Sequence, residues 1–141
     1  MSMFHKILVP IDGSEHSDHA LEQAVALAVS LSHEVKITIL HVSPILVLNE
    51  PPIISIEENA EAEGQQILKP AEDKLTAAGI TYDVQLKTGD PSTIITQFAD
   101  DNQVDLIMMG SRGAGLISEI LLGSVSHNVI KHAHCPVMVT K

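Results

Sequence analysis

Two glycine-containing segments carry the residue types best suited to hold a phosphate group. Gly110 and Gly113 follow a short apolar run, and Gly123 and Ser124 begin a later helical pattern that also contains Ser126. Glycine lets backbone N–H groups approach an anion because no β-carbon stands in the way. A helix N-terminus adds unpaired N–H groups and a positive dipole end, and the serines add hydroxyls. Together the two segments predict a phosphate-binding loop.

The order of the glycines separates this loop from other nucleotide-binding motifs. G-x-x-x-x-G-K-[ST] is absent, which excludes a Walker-type NTPase, and the residues from Gly110 to Gly115 lack the G-x-G-x-x-G order of a dinucleotide fingerprint. A glycine cluster after a strand is also typical of a plain tight turn. The second glycine site, at Gly123, favours the phosphate loop over that alternative.

Histidines near the end of the chain are candidates for a metal site. His127, His132, His134 and Cys135 lie close together in the sequence. Their spacing lacks the separated pairs of a structural zinc site, so we predict that they hold no metal. Cys135 is the only cysteine, and an internal disulfide is therefore excluded.

The composition is typical of one acidic globular domain. The chain has 141 residues, 45% of them hydrophobic, and 8 basic against 18 acidic side chains give a net charge of −10. We interpret residues 1–141 as a single domain. The acidic balance, with only Phe4, Tyr82 and Phe98 as aromatic residues, argues against a nucleic-acid partner. No signal-peptide pattern and no apolar run of about 18 residues occurs, which predicts a soluble, cytoplasmic protein without membrane insertion.

Hydrophobic periodicity predicts strands that alternate with helices. The predicted strands are His5–Ile11, Glu34–Ser43, Ile80–Lys87, Val104–Met109 and Pro136–Thr140. The predicted helices begin near Ser17, at Ile56, after Asp90 and at Ser124. Because strands separated by helices need parallel crossovers, the fold class is an open, doubly wound α/β sheet. Ligands of such sheets bind beyond the carboxyl ends of the strands, where the strand order reverses.

Local signals mark several helix boundaries. Ser14 and Ser17 both qualify as the N-cap of the first helix. Asp90 precedes Pro91, as an N-cap precedes a proline at the first helical position. Pro70 lies inside the second helical pattern and predicts a kink or a break there.

The segment Pro44–Ser55 has no clear period and contains two consecutive prolines. We predict a loop, and loops of this length are often functional. Its apolar side chains either dock onto the core of the domain, which is the favoured interpretation, or form a lid or a partner surface.

Segments spread over nearly the whole chain resemble one known family. They are ILVPIDGS from Ile7 to Ser14, the helix start from Ser17 to Leu21, Leu40–Val42, MGSRG from Met109 to Gly113, LLGSVS from Leu121 to Ser126, and CPVMV from Cys135 to Val139. On these segments the chain resembles the universal stress protein family. Gly110, Gly113, Gly123 and Ser124 also match the signature G-2x-G-9x-G-(S/T) of its ATP-binding subgroup.

The resemblance implies a fold and a set of ligand contacts. The family's five-stranded sheet has the order 3-2-1-4-5 with helices on both faces, which makes the first and fourth strands neighbours. The implied phosphate contacts are the amides of Gly110, Arg112, Gly113, Gly123 and Ser124, with the hydroxyls of Ser124 and Ser126 and the adjacent Val125. The implied contacts of adenine and ribose are Pro10, Ile11, Asp12, Val42 and Met109, with Val42 acting through its backbone. The implied ligand is ATP, ADP or AMP, with Mg²⁺.

Few side chains near this implied site could take part in catalysis. Asp12 would accept hydrogen bonds from ribose or adenine, or hold Mg²⁺ through water, or else shape a turn as an Asx residue. Arg112 would pair with the phosphates or lie in solvent. His41 is a candidate base, with a structural role as the favoured alternative. Because hydrolysis needs a positioned water, a metal clamp and cations, we expect binding with at most slow turnover.

The resemblance also implies a role and an assembly. We expect an ATP-binding stress-response regulator whose nucleotide state changes a dimer surface or the Pro44–Ser55 loop and is read by an unidentified protein partner. A weak ATPase or nucleotide-processing enzyme is the alternative, and an interaction protein with a vestigial pocket is a third interpretation. The last strand lies at a sheet edge and commonly pairs across a two-fold axis in the family, so we predict a homodimer through Pro136–Lys141.

Overall fold

The computed structural model describes residues 4–44, 54–111 and 123–141, and these residues form strands and helices in strict alternation. The elements are β1 Lys6–Pro10, α1 Glu15–Ser30, β2 Lys36–Ser43, α2 Ile54–Ala78, β3 Thr81–Thr88, α3 Pro91–Asp101, β4 Leu106–Gly110, α4 Ser124–His132 and β5 Val137–Thr140. Each predicted strand and helix is confirmed, with its ends shifted by at most two residues.

The five strands form one parallel sheet in the order β3-β2-β1-β4-β5. This confirms the fold class and the strand order. From β1 the chain moves outward to β2 and β3, and then returns to the other side of β1 to add β4 and β5. The order therefore reverses between β1 and β4, which pair directly through Ile7 with Leu106 and Leu8 with Ile107. A crevice opens at the carboxyl ends of two strands that diverge in this way.

The sheet separates two layers of buried side chains because successive residues of a strand point to opposite faces. On β1, Ile7 and Val9 pack with α1 and α2, whereas Leu8 packs with α3 and α4. The cluster on the α1–α2 side contains fourteen buried residues and the cluster on the α3–α4 side contains nine, among the residues that the structure describes. The larger of the two described clusters therefore lies on the α1–α2 side of the sheet.

Side chains cap two of the helices. The hydroxyl of Ser14 accepts a hydrogen bond from the Ser17 amide at 3.2 Å, which makes Ser14 the N-cap of α1 and leaves Ser17 inside the helix. The carboxylate of Asp90 accepts from the Thr93 amide at 3.1 Å, and Pro91 is the first residue of α3 as predicted. Both caps satisfy an N–H group that the helix itself cannot pair.

Helix α2 continues through Pro70 without a break. A proline inside a helix removes one backbone hydrogen bond at a cost of about 3 kcal/mol. Leu68, Ala71 and Leu75 are buried on both sides of it, and burying a leucine stabilises by about 1.5–3 kcal/mol. The packing of this face therefore outweighs the proline, and the predicted break is wrong.

The predicted loop Pro44–Ser55 is described only in part. Residues 45–53 lie outside the described residues, and Ile54 and Ser55 belong to α2 rather than to a loop. The interpretations of its apolar side chains therefore stay predictions. Within the described part of the chain, no helix is both long enough and apolar enough to cross a membrane.

Candidate functional site

A cavity of about 330 Å³ opens at the carboxyl ends of β1 and β4, where the strand order reverses. Its walls come from both strands, from the end of β2 and from the first turns of α3 and α4. The lining residues are Pro10, Ile11, Asp12, Ser17, Leu40, His41, Val42, Pro44, Pro91, Ile95, Met109, Gly110, Val125 and Ser126. The volume lies in the range of small-molecule sites.

Most of the site residues predicted from the sequence meet at this cavity. Those that line it are Pro10, Ile11, Asp12, Val42, Met109, Gly110, Val125 and Ser126. Gly123 and Ser124 begin α4 beside the cavity but do not line it. Arg112 and Gly113 lie outside the described residues. Eight of the predicted residues thus line one cavity, and their role in binding a ligand stays a prediction.

Helix α3 contributes two lining residues that the sequence did not assign to the site. Pro91 and Ile95 lie four residues apart at the start of α3, and this spacing places them on one helical face. Ile95 is only 2% exposed and also belongs to the buried cluster on the α3–α4 side. The Asp90–Pro91 signal that begins α3 at the carboxyl edge of the sheet could have indicated their position.

The inner walls of the cavity are aliphatic. Ile11, Val42 and Met109 come from the strand ends, Ile95 from α3 and Val125 from α4. Such walls can bury the faces of a flat ring, and the polar groups that could read its edges are backbone atoms and a few hydroxyls. None of the lining residues is a lysine or an arginine. With a net charge of −10, the protein supplies no side-chain cation here among its described residues to attract an anion.

Asp12 shapes the turn between β1 and α1. Its Oδ1 accepts hydrogen bonds from the Ser14 amide at 2.9 Å and from the Ser14 hydroxyl at 2.5 Å. The amide of Asp12 donates to the Ser17 hydroxyl at 3.4 Å. The Asx role that was one alternative for Asp12 is therefore present. Oδ2 has no partner among the described residues, and the residue is exposed, so one carboxylate oxygen is open at the cavity.

His41 is held by structural contacts. Leu40 and Val42 point to the α3–α4 layer, and alternation along the strand therefore directs the imidazole of His41 to the opposite face. There Nδ1–H donates to the carbonyl oxygen of Ile11 at 2.7 Å. A β-carbon on Gly64 of α2 would lie 3.2 Å from Cδ2 of the ring. These contacts support the structural interpretation of His41 over that of a catalytic base.

The carbonyl oxygen of Ser111 joins the two ends of the glycine loop. It accepts hydrogen bonds from the Gly123 amide at 2.7 Å and from the Ser126 hydroxyl at 2.7 Å. Both of these donors were predicted to bind phosphate. In this structure they bind the protein's own backbone, and the chain that leaves β4 returns to the start of α4 at that point.

Helix α4 begins without a side-chain cap. Its N-cap is Gly123, which has no side chain, whereas α1 and α3 are capped by Ser14 and Asp90. The N–H groups of Ser124 and Val125 have no acceptor among the described residues. With the positive end of the helix dipole, these amides form a site that an anion can occupy.

Gly110 is glycine for a reason that the sequence did not reveal. A β-carbon there would lie 2.6 Å from the β-carbon of His16 and 2.7 Å from its carbonyl carbon. The absence of a side chain lets the first turn of α1 pack directly on the end of β4. Gly110 thus serves helix packing and also lines the cavity, and its predicted contact with an anion stays a prediction.

Two of the histidines near the end of the chain have separate partners in the structure. His132 Nδ1–H donates to the carbonyl oxygen of Asn128 at 3.0 Å, and His134 Nε2 lies 3.7 Å from a carboxylate oxygen of Asp100. Burial raises the pKa of the Cys135 thiol, and the negative charge of Asp100 adds to the effect; this disfavours the thiolate that a metal requires. Within the described ranges, no group of three or more His, Cys, Asp or Glu side chains could hold a metal ion.

The sequence model of the universal stress protein family matches residues 3–141. The chain belongs to this family. Among curated relatives, it is 37% identical to the universal stress protein MJ0531 of Methanocaldococcus jannaschii, over 99% of this chain and 84% of the relative. It is 36% identical to the universal stress protein YxiE of Bacillus subtilis, over 99% of this chain and all of the relative.

Solved structures of other universal stress proteins and a related protein share the fold. The hypothetical protein MJ0577 superposes with a TM-score of 0.83 at 33% identity, covering 99% of this chain and 97% of the other. A universal stress protein in complex with cAMP gives 0.73 at 26% identity, with coverage of 99% and 98%. A family member from Arabidopsis thaliana with AMP bound gives 0.73 at 27% identity, with coverage of 96% and 90%. Two structural relatives of this universal stress protein thus contain an adenine nucleotide.

Proposed function

We propose that the protein binds an adenine nucleotide, with ATP as the principal ligand, in the cavity between β1 and β4. One observation carries the proposal: an aliphatic cavity at the reversal of strand order continues to a helix start whose amides lack a side-chain cap. The aliphatic cavity suits an adenine ring, and the uncapped start of α4 suits a phosphate group. The related structures with AMP and cAMP support an adenine ligand.

In this proposal the adenine ring of the nucleotide lies between aliphatic side chains. Ile11 and Met109 contact it from the strand ends, and Ile95 and Val125 from the helices that close the cavity. The backbone of Val42 and the backbone of Pro10 supply polar groups for the edges of base and ribose. Because none of the described lining residues is a phenylalanine, tyrosine or tryptophan, apolar burial rather than ring stacking holds the adenine.

The phosphates extend toward the start of α4. The amides of Ser124 and Val125 and the exposed hydroxyl of Ser124 are the donors that need no rearrangement. The Gly123 amide and the Ser126 hydroxyl would first have to release Ser111, so we assign them a supporting role. Arg112 and Gly113, outside the described residues, complete the proposed loop.

The open Oδ2 of Asp12 fits an Mg²⁺ ion that accompanies the phosphates. Magnesium commonly takes one or two carboxylates and completes its shell with water and substrate phosphates. Asp12 can supply one such oxygen directly or through water. Because the described side chains offer no cluster of three ligands, the ion would bind together with the nucleotide rather than alone.

Binding without rapid hydrolysis follows from the groups near the phosphates. The His41 imidazole faces the other layer, and no other described histidine lines the cavity. Asp12 is then the one carboxylate among the described lining residues, and in this proposal it serves Mg²⁺ rather than an attacking water. We infer a regulatory protein that holds its nucleotide and turns it over slowly at most.

The regulator acts as a homodimer through β5 in this proposal. β5 is an edge strand that pairs only with β4 in the sheet, and Met138 on it is 45% exposed. The carbonyl of Pro136 accepts from the Ile107 amide of β4 and that of Thr140 from the Ser111 amide just after β4. The alternate residues Val137 and Val139 therefore direct their backbone groups outward. An apolar edge of this kind is stabilised by pairing with a second copy.

The first experiment asks whether the purified protein carries or binds an adenine nucleotide. Protein purified without added nucleotide is denatured and the released small molecules are separated, and calorimetry then measures ATP binding with and without Mg²⁺. We expect adenine nucleotide in the released fraction and binding of ATP that Mg²⁺ strengthens. Absence of both would contradict the proposal, and ADP that accumulates with time and depends on Asp12 would favour a weak ATPase.

Two matched pairs of variants locate the ligand. Val125→Trp fills the cavity, whereas Ile130→Trp enlarges an exposed residue of the same helix; we expect a loss of at least about tenfold in affinity only for the first. Asp12→Asn keeps an oxygen for the Ser14 bonds but removes the charge, and Glu15→Gln removes a neighbouring charge outside the cavity. Only Asp12→Asn should reduce the gain in ATP affinity that Mg²⁺ provides. Wild-type affinity in Val125→Trp would exclude this cavity.

A further inference from the structure

Strand β3 is a long strand at one edge of the sheet. It has eight residues, twice as many as β5 at the opposite edge, and among the described residues it pairs only with β2. The Gly89 amide just after β3 donates to the Ser43 carbonyl of β2 at 3.0 Å. Because the backbone groups of successive residues alternate between the two sides of a strand, those that point away from β2 belong to Tyr82, Val84, Leu86 and Thr88. Such a row of donors and acceptors is a template for another strand.

Two opposite charges lie on the same face of β3. Val84 and Leu86 pack against the buried cluster on the α1–α2 side, and alternation therefore places Asp83 and Lys87 on the other face. The Asp83 side chain is 48% exposed, and one of its oxygens lies 3.4 Å from Nζ of Lys36. Lys87 is exposed. Both charged groups can therefore reach a strand that lies beside β3.

We propose that β3 pairs with β3 of a second copy of this chain, antiparallel and across a two-fold axis through Gln85. This register sets Asp83 of each copy opposite Lys87 of the other. An axis through Asp83 or through Lys87 would place two like charges opposite each other. An axis through Val84 or through Leu86 would leave both charges without an opposite partner. Charge complementarity therefore selects the register centred on Gln85.

The alternation of backbone groups agrees with this register. Val84 of one copy lies opposite Leu86 of the other, and since both direct their backbone groups outward, they can exchange both N–H···O bonds. Asp83 and Lys87 then form a non-hydrogen-bonded pair, the type in which opposing side chains lie closest. Opposite charges at such positions stabilise a pair of strands.

Charges on an edge strand can also serve to prevent pairing. A protective charge repels its own copy, whereas Asp83 and Lys87 attract each other across the axis. Two other devices that block an edge are absent from β3, which contains no proline and pairs with β2 in an unbroken register without a bulge. With one acidic and one basic side chain, this edge is also locally neutral in a chain whose net charge is −10. Two copies can therefore approach here with little repulsion.

The proposed contact is small and therefore weak. Two edge strands alone bury less than a standard protein interface, about 1,200 Å², and we expect a dissociation constant on the order of 0.1–1 mM. Because β5 lies at the opposite edge, pairing at both edges would extend one sheet through successive copies without closure. The inference does not depend on the nucleotide site.

The test measures mass by sedimentation at concentrations from about 10 µM to about 1 mM. Every protein in it carries Met138→Glu, which removes any contribution of β5, and the variant with this change alone is the parent. We expect the parent to shift from monomer toward dimer mass as its concentration rises. Asp83→Lys and Lys87→Asp should each weaken self-association at least about fivefold, because like charges then face each other. A mixture of the two should associate like the parent, since each lysine of one variant then meets an aspartate of the other.

Lys69 and Asp73 supply the matched control. They are a lysine and an aspartate with the same spacing, and they form an exposed ion pair on α2 at 3.0 Å. Lys69→Asp and Asp73→Lys change the net charge by the same amounts as the β3 variants, and each should associate like the parent.

Three outcomes would overturn the inference. A parent that stays monomeric throughout the range would leave the edge to a segment of a different protein. A mixture that associates no better than its two components would show that Asp83 and Lys87 do not face each other across the axis. Stronger association of Asp83→Asn/Lys87→Gln than of the parent would show that these charges protect the edge.

Discussion

Nδ1 of His41 lies 2.7 Å from the carbonyl oxygen of Ile11 and joins the end of β2 to the residue that follows β1. The amide of Ile11 donates to the carbonyl oxygen of Leu40 at 2.8 Å. Ile11 is thus fixed through both of its backbone polar groups. Since Ile11 also lines the cavity, these two bonds hold one wall of the site in place.

Replacing His41 by Phe should therefore destabilise the fold. The side chain is only 8% exposed, and the variant leaves the carbonyl of Ile11 without its donor. An unsatisfied buried polar group costs about 1–3 kcal/mol, which urea denaturation should measure as a loss in the free energy of unfolding. His19→Ala, which removes a bond at an exposed residue, serves as the comparison. An unchanged unfolding free energy in His41→Phe would contradict the structural role assigned here.

Gly110→Ala should destabilise the protein more than Gly64→Ala. At Gly110 the added methyl meets the β-carbon and the backbone of His16, which cannot yield without moving α1. At Gly64 it meets the ends of the Leu86 and His41 side chains, and the leucine can change its rotamer. Overpacking against fixed atoms costs about 1–3 kcal/mol. Thermal or urea unfolding of both variants gives the comparison, and a Gly110→Ala variant as stable as the wild type would show that α1 can shift.

The Asp90 cap should contribute a stability that depends on pH. Hydrogen bonds from the hydroxyl and the amide of Thr93, and from the Ser92 hydroxyl, lower the pKa of Asp90 in the folded state below its ordinary value of 3.8. A carboxyl with a depressed folded pKa stabilises the protein above its unfolded pKa, and this contribution is lost as the pH falls through the folded value. Asp90→Asn should therefore lower the unfolding free energy at neutral pH and flatten its decline below pH 3.8.

Thr93→Val is the companion variant for this cap, because it removes the largest cause of the shift. Carboxyl NMR should find the pKa of Asp90 higher in Thr93→Val than in the wild type. An identical titration curve in the two proteins would mean that the hydroxyl of Thr93 plays no part in the cap.

A charge on β5 should prevent the proposed dimer. Met138→Glu places a carboxylate on the exposed side of the edge strand, where two copies would meet, while Val29→Glu makes the same kind of change at a residue of α1 that is 68% exposed. Light scattering at micromolar concentration should give a dimer mass for wild type and Val29→Glu, and a monomer mass for Met138→Glu. A monomeric wild type would refute the dimer itself.

The fold could be predicted because its signals are local. The apolar runs of β1 and β4 and the Asp90–Pro91 start of α3 are each visible within a few residues, and parallel crossovers follow from their alternation. The strand order and the meeting of Asp12 with Gly110 required the family resemblance. Pro70 was misjudged because its neighbours' burial, which overrides the local helix-breaking tendency, depends on tertiary packing.

The contacts inside the site could not be predicted in the same way. Ser111 bonds partners 12 and 29 positions away, Gly123 and Thr140, and no periodicity links such residues. The contact between Gly110 and His16 depends on how closely α1 approaches the sheet. A glycine in the sequence does not show which neighbouring atoms require it, and at Gly110 these atoms are known only from the structure.

The position of the cavity between the sheet and helices α3 and α4 bears on how long the protein survives in the cell. The cavity is lined by residues of the α3–α4 layer such as Ile95 and Val125, and regions with few buried apolar contacts open locally at a lower free-energy cost. A ligand that fills the cavity stabilises the fully folded protein over the locally opened one. At a hundred times its dissociation constant, the ligand contributes about 2.7 kcal/mol. Proteases cut chains that have opened, so the degradation rate of this protein would follow the nucleotide supply.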